Sequence, residues 1–498
     1  MEKKCTIIGS GLGGLACGVI LAKNGYHVTV LEQASQIGGC LQCFSRRGVK
    51  FETGMHFIGS ADEGQTLARL LVYLNVREDI KLGRLDVNGY DVVSLGGDLF
   101  RFPNGREPFI EQLSSYFPSE KDNLVRYYDL VKTIAEASSL HSLKYAESDR
   151  TVNTKYQLRS INNVLEEIIG DPLLQSVLAG NLPLYAAERD KTPFSSHAFI
   201  MDFYNQSAFR IVGGSDIIGL SLAGTIESLG GRVLNRHKVK RILCDDFKAT
   251  GVETENGKFF PADVIISDTH PVRTLEMLDT KLIRPVFRRR INAIPNTVAG
   301  FSIYLHFKDN AVPYMNSNFY SYRGDSPWDC ENYDEESWPK GYLYMHLCHE
   351  DRAEFAQSGV ILSYMSIKEM AAWENTGIGK RGESYEAYKK QKAEKLLSVV
   401  EKDFPGLRNR IAHYYTSSPL TYRDYTGTQD GSMYGVAKDI TLGTSCRVPH
   451  KTKISNLYLT GQNINSHGML GVLVGTIITC SELLGASNIY HQIIEANK

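Results

Sequence analysis

Lys4-Cys5-Thr6-Ile7-Ile8-Gly9-Ser10-Gly11-Leu12-Gly13-Gly14 opens the chain and decides how the rest is read. Lys4–Ile8 is a short apolar strand, and Leu12–Asn24 reads as a helix. His27–Leu31, with β-branched Val28, Thr29 and Val30, reads as a second strand that leads into Glu32. The pattern predicts a βαβ unit with a G-x-G-x-x-G turn between the first strand and the helix. That string is weak alone, and its context strengthens it. Glu32 lies 18 residues beyond Gly14, near the ~20 expected of an acid that meets a dinucleotide ribose. Gly9 permits the tight turn, Gly11 lets the backbone approach a pyrophosphate, and Gly14 lets helix and strand pack closely. The helix start points unpaired N–H groups and a positive dipole end at the anion. Glu32 can accept from a ribose diol and would repel a 2′-phosphate. A turn without a ligand is the plain alternative.

The next residues separate two dinucleotides. Gly38-Gly39 follows soon after Glu32, and a second glycine pair there lets the chain pass close to a cofactor. This favours FAD over NAD. Near the other end stand Leu457-Tyr458-Leu459-Thr460-Gly461-Gln462-Asn463 and His467-Gly468-Met469-Leu470-Gly471. A strand that runs into a glycine-rich helix start is a second anion-favouring site. Its alternative is a helix whose glycines serve packing.

The chain has 498 residues, room for two or three domains or one elaborated one. Hydrophobic residues make up 42%, which fits a globular core without disulfide or metal staples. Lys plus Arg number 55 and Asp plus Glu 56, for a net charge of −1. A protein that neutralises phosphates on nucleic acid carries a basic excess, so nucleic acid is not an expected partner. Nine cysteines, an odd number, argue for a reducing compartment. The start lacks the layout of a signal peptide. The apolar stretch Met469–Thr479 has 11 residues, against about 20 for a span. The expectation is a cytoplasmic protein, neither secreted nor membrane-spanning.

Further elements are a helix at Glu63–Leu74, a β-hairpin over Leu85–Phe102 with Asn88-Gly89 and Gly96-Gly97 turns, and mostly helix from 107 to 180. Ser215–Leu229 reads as a helix, and Val239–Leu243 and Ala262–Ser267 as strands. Gly377-Ile378-Gly379-Lys380-Arg381-Gly382 repeats the glycine string, but helix precedes it and no acid-ended strand follows. It reads as a solvated loop. No metal-ligand spacing is present.

The segments IGSGLGGLACGVILAKNGYHVTVLEQ, GGCLQCF, FETGMHFIG, FRIVGGSDIIGLSLAGTIESLGGRV, SPLTYRDY and NLYLTGQNINSHGMLGVLVGTI resemble the carotenoid desaturase/isomerase and retinol saturase family of FAD oxidoreductases. The resemblance covers nearly the whole chain. It implies an α/β fold: an amine-oxidase-type, Rossmann-like FAD-binding domain with an interleaved α+β substrate domain. The FAD domain would be discontinuous (1–72, 208–290 and 425–498), with the substrate domain at 73–207 and 291–424. By position, Gly9, Gly11 and Gly14 would bind the pyrophosphate and Glu32 the adenosine ribose. Gly38 and Gly39 would lie along the cofactor, and Val239 would bind adenine through its backbone. Gly461 and Asn463 would meet ribityl and phosphate groups, and Met469, Leu470 and Gly471 the flavin ring. Many relatives have Asp where this chain has Asn463. Asn still hydrogen-bonds a hydroxyl but carries no charge. The leader of retinol saturases has no counterpart here, so an endomembrane address is not expected.

The family implies saturation of a conjugated C=C bond in an apolar polyene, whether retinoid, carotenoid or isoprenoid-like, with an unnamed electron donor. The same flavin can serve a desaturase or a cis–trans isomerase. Two alternatives are a prenyl-lipid carrier on the same fold without catalysis and a flavin amine oxidase. For proton handling the candidates are His467, before the last helix, and His56, in the Glu52–His56 segment. Each has a plain alternative, as a helix-capping or packing histidine. His197 and Tyr204 are candidates for lining the substrate cavity, with core packing the commoner fate. Cys40 and Cys43 invite a dithiol reading, against simple packing beside Gly39. Arg284-Pro285-Val286-Phe287-Arg288-Arg289-Arg290 is the densest basic run. It is a candidate for peripheral contact with anionic lipid, Phe287 inserted, or else a solvated helix face.

Overall fold

The computed structural model describes residues 3–143 and 150–498. Lys3–Ile8 and Tyr26–Leu31 form two parallel strands around the helix Leu12–Lys23. The sheet they begin has five parallel strands. Its order is Arg232–Leu234, Tyr26–Leu31, Lys3–Ile8, Val264–Ser267 and Leu457–Leu459. Ile7 pairs with Val30 on one side and Ile266 on the other, and Ile265 pairs with Leu457. Three distant parts of the chain therefore meet in one sheet. Ile7, Val28, Val30 and Ile266 are wholly buried, as both faces of a parallel sheet require. The helices Leu12–Lys23, Asp216–Ser228 and Gly468–Leu484 pack together on it. The last of these is buried on most sides between Met469 and Cys480, which explains its apolar composition.

A second sheet has seven strands, in the order Ile411–Ser417, Gly300–Phe307, Ser358–Tyr364, Gly341–His346, Asn318–Tyr322, Asp91–Leu95 and Asp98–Phe102. The helices Arg106–Tyr116, Lys121–Glu136 and Phe194–Gln206 share a hydrophobic cluster with it, including Phe102, Phe109, Tyr127 and Tyr320. The hairpin is shorter than the sequence predicted. It runs over Asp91–Phe102 and turns at Gly96-Gly97, both with positive φ. Asn88-Gly89 closes an earlier turn, where Gly89 N–H donates to Asp86 O. The strand before it, Leu82–Arg84, joins Ala208–Ile211 in another sheet. The string at Gly377 follows the 3₁₀ helix Ile367–Trp373 and precedes the helix Gly382–Asp403. It lacks the strand that would make it a phosphate turn.

The basic run is different from its sequence reading. It forms the helix Pro285–Asn292. Arg288 donates to the carbonyls of Leu275 and Leu278, and Arg290 to those of Ser445 and Arg447. Phe287 packs against a buried cluster, with the Arg290 guanidinium 5.2 Å from its ring centroid. These three residues hold the helix to the protein. Arg284, Pro285, Val286 and Arg289 are the ones left facing out. Among the described residues no helix is long and apolar enough to cross a membrane.

Candidate active site

A single cavity of about 2060 Å³ connects the ends of the parallel strands to the second sheet. Ordinary small-molecule pockets hold roughly 300–1,000 Å³, so this one has room for a dinucleotide and a second molecule. Gly9, Gly11, Glu32, Gly38, Gly39, Val239, Gly461, Asn463 and Met469 all line it. Residues chosen from segments hundreds of positions apart thus face one space.

Gly11, Gly13 and Gly461 there have no room for a side chain. A Cβ on Gly11 would lie 2.4 Å from Asp268 Oδ2, and one on Gly13 would lie 2.8 Å from Gly461 N. Gly9 and Gly461 have φ of 96° and 90°, a conformation that other residues adopt only with strain. Gly14 does not face the cavity. A Cβ on it would sit 2.3 Å from Gly9 O, so it serves the close packing of helix on strand. The helix begins at Leu12 with Gly11 as its N-cap and no side-chain cap from that residue. Its first N–H groups therefore suit an anion.

Glu32 is fixed from two sides. Its Oε2 accepts from Ser10 N (3.0 Å) and Ser10 Oγ (2.7 Å), and its Oε1 accepts from Ala34 N (2.8 Å). Its backbone exchanges hydrogen bonds with Leu234 and His237, which brings Val239 to the same edge. Asn463 Oδ1 accepts from Val436 N at 3.1 Å. That contact orients the amide and leaves Nδ2 available to donate to a hydroxyl. Leu470 and Gly471 are set back from the cavity. Leu470 packs in the core, and a Cβ on Gly471 would meet Ser466 Cβ at 2.7 Å. Of the three residues at that helix start, Met469 is the one that faces in.

The far part of the cavity is apolar and aromatic. Phe57, Tyr304, Leu343, Met345, Leu362 and Met433 line it and are all buried. Its exposed rim carries Glu374, Ile378, Glu386, Lys390 and Tyr425. His56 lines the cavity, with Nδ1 3.5 Å from Glu52 Oε2. Burial raises the Glu52 carboxyl above its ordinary range, against the pull of His56 and Arg210. Tyr204 lines the cavity beside Phe57, their ring centroids 4.9 Å apart.

His197 is a correction. It is fully buried between Tyr127 OH and Tyr185 OH, 2.8 Å from each, and takes no part in the cavity wall. Desolvation pushes its pKa down to about 3. It is a neutral core histidine. His467 packs at a tilt against Tyr434, ring centroids 4.7 Å apart, and Tyr434 rather than His467 lines the cavity. Burial and Lys438 lower its pKa to about 3. Burial raises the Cys43 thiol to about 12, away from the thiolate that redox chemistry needs, whereas Cys40 lines the cavity as an exposed residue.

Sequence reading missed Asp268, Tyr422 and Tyr434, which line the cavity. Asp268 had a signal. It directly follows Val264–Ser267, a second apolar strand that ends in an acid. The tyrosines had none, since their neighbours come from other segments.

The glycine-lined turn, the helix start, Glu32 in the cavity wall and the room beyond suit FAD. Fold and site together define an FAD-dependent oxidoreductase. The chain belongs to the flavin-containing amine oxidoreductase family, whose model matches residues 12–477. It is 30% identical to all-trans-retinol 13,14-reductase from Rattus norvegicus, an alignment covering 98% of this chain and 86% of the relative. It is 24% identical to prolycopene isomerase 1, chloroplastic, from an Oncidium hybrid cultivar, covering 93% and 80%. An oxidoreductase crystal structure from Methanosarcina mazei shares the fold, with a TM-score of 0.66 at 16% identity over 96% of this chain and all of the other.

Proposed function

We propose that this protein saturates a conjugated C=C bond of an apolar polyene, a retinoid, carotenoid or isoprenoid-like molecule. The observation that carries this reading is the change of chemistry along one cavity. Glycines and Glu32 line one end, and buried Leu343, Met345, Leu362 and Met433 line the other. A long apolar substrate can lie against the second end while charged residues stay at the rim. The names of the two relatives support the substrate class.

When bound, FAD supplies hydride transfer. Gly9–Gly13 would hold its pyrophosphate, Glu32 its adenosine ribose, Gly461 and Asn463 its ribityl chain, and Met469 its ring. The chain's own tasks are to align the polyene, exclude water and deliver one proton. His56 is the proposed donor. Its Nδ1 faces Glu52, which leaves Nε2 for the cavity. His467 is set aside because Tyr434 lines the cavity in its place and because it is held neutral. Tyr204 and Phe57 form one wall of the polyene chamber.

The division into an FAD unit (1–72, 208–290, 425–498) and a substrate unit (73–207, 291–424) belongs to this proposal. The sheet strands at 232–234, 264–267 and 457–459 support it. A cytoplasmic location is a further part of the proposal, favoured by the nine free cysteines. Any lipid contact is proposed for Arg284 and Arg289, the arginines of the run that face out.

The test is anaerobic turnover with a panel of retinoids and carotenoids and with reduced or oxidised flavin. Saturation adds two hydrogens, desaturation removes two and isomerisation changes neither. Polyene saturation with reduced flavin supports the reading. Turnover of amines alone overturns it.

A further inference from the structure

Asp268 stands at the centre of the glycine cradle, and the proposed reaction leaves it without a task. Its backbone N–H donates to Ile8 O at 2.8 Å, which fixes it beside the end of the first strand. A Cβ on Gly11, Gly13 or Gly461 would lie 2.4, 2.6 or 2.2 Å from one of its carboxyl oxygens. Three glycines from the two ends of the chain therefore close around one carboxyl group. A Cβ on Gly14 would lie 3.2 Å from Asp268 Oδ2. Asp268 thus brings a carboxyl from another strand close to the start of the helix Leu12–Lys23, whose N-cap Gly11 has no side chain.

We propose that Asp268 is a cofactor-positioning residue that meets the pyrophosphate–ribityl part of FAD as a neutral, hydrogen-bond-donating carboxyl, so that FAD binding takes up a proton. An ionised carboxylate has only acceptor oxygens. A pyrophosphate also offers only acceptors, and both would compete for the same helix start. Protonation removes the repulsion and turns one oxygen into a donor.

The surroundings support the neutral form. Glu32 opposes a second negative charge at Asp268 from the end of the second strand, while the neighbouring Cys40, in the Gly39–Leu41 turn, is a neutral thiol. On its own segment, His270 is turned to Asn296, and Arg273 to Gly427 O and Glu276. The loop Gly461–Asn463 brings no ionisable side chain. Burial and Glu32 raise the Asp268 pKa to about 7, against the lowering effect of the Gly14 N–H. Binding that requires the protonated carboxyl is unaffected by pH below that value. Above it, affinity falls about tenfold per pH unit, the slope for one linked proton.

The experiment titrates apoprotein with FAD by flavin fluorescence from about pH 6 to about pH 9, with calorimetry in buffers of different ionisation enthalpy. Wild type should lose affinity above about pH 7 and take up close to one proton at the alkaline end. Asp268→Asn, uncharged at every pH, should bind with a flat profile, and Glu32→Gln should bind more weakly yet keep the slope. A flat wild-type profile overturns the proposal, as does a slope that survives in Asp268→Asn or vanishes in Glu32→Gln. Should Asp268→Asn fail to fold, the wild-type proton count decides alone. The inference rests on placing the pyrophosphate at the glycine turn. Gly13→Ala checks that placement separately, because it should abolish binding at every pH.

Discussion

Ser10 gives Glu32 two hydrogen bonds, from its backbone N–H at 3.0 Å and its hydroxyl at 2.7 Å, both to Oε2. Ser10 lies inside the glycine string and Glu32 ends the next strand, so one serine ties the pyrophosphate turn to the ribose acid. Ser10 O and Oγ also receive Gly38 N–H, which draws the second glycine pair to the same place. A hydrogen bond to a charged group is worth about 1.5–3 kcal/mol. Glu32→Ala should therefore weaken FAD binding roughly ten- to hundredfold by fluorescence titration. Ser10→Ala leaves the acid in place with one tether fewer and should cost about tenfold or less.

Gly13→Ala makes a sharper demand. The new methyl carbon would lie 2.6 Å from Asp268 Oδ1, 2.8 Å from Gly461 N and 2.9 Å from Gly461 Cα. A side chain can turn away, but the Gly461 backbone is tied into the loop after Leu457–Leu459. The two halves of the cradle should separate. The expected product is a folded, colourless protein by absorbance in the flavin band, with circular dichroism close to wild type.

The cradle was legible in sequence because it is built from short-range features. Gly9, Gly11, Gly14 and Glu32 are a strand, a turn and an acid in fixed order, and each role follows from local geometry. His197 was not legible. A histidine on a helix with Phe194 and Phe203 can face a core or a cavity equally well. Its fate was set by Tyr127 and Tyr185, from two other segments. In the arginine run, too, distant partners act: carbonyls of Leu275, Leu278, Ser445 and Arg447 claim two of its side chains. Long-range partners decide which way a polar side chain turns, and spacing does not encode them.

Those arginine contacts make a stability prediction. Arg288 spans two carbonyls of another segment, while Arg289 is exposed. Arg288→Ala should lower unfolding free energy by about 1–3 kcal/mol, since two buried acceptors lose their donor. Arg289→Ala should stay within about 0.5 kcal/mol of wild type. Paired denaturant curves check this, and equal losses in the two variants would count against it.

His56 and His467 separate cleanly in a kinetic test. His56 faces the cavity with Glu52 behind it, and His467 packs against Tyr434, which lines the cavity in its place. General acid catalysis contributes about 10²–10⁴-fold. His56→Gln should lower kcat by that order while FAD stays bound. Glu52→Gln should shift the pH profile of kcat and cost less. His467→Gln should change kcat by less than about tenfold. A His467 variant with the larger loss would move the proton donor to the other wall.

Buried histidines should set how the fold responds to acid. Desolvation lowers both His197 and His346 to about 3. Met315 N–H donates to His346 Nδ1 at 2.8 Å, and Tyr344 OH lies 2.7 Å from Nε2. Protonation of Nδ1 would leave two donors facing each other in a buried site. An unfolded chain binds these protons near pH 6.5, and the folded chain refuses them until about pH 3. Stability is therefore full above about 6.5 and falls as pH drops from there towards 3. The thermal midpoint should decline steadily across that window. His346→Gln removes one of the refused protons, so its midpoint should start lower at neutral pH and fall less steeply in acid. A wild-type midpoint unchanged between about pH 6.5 and 4 would mean the two imidazoles reach solvent in the folded state.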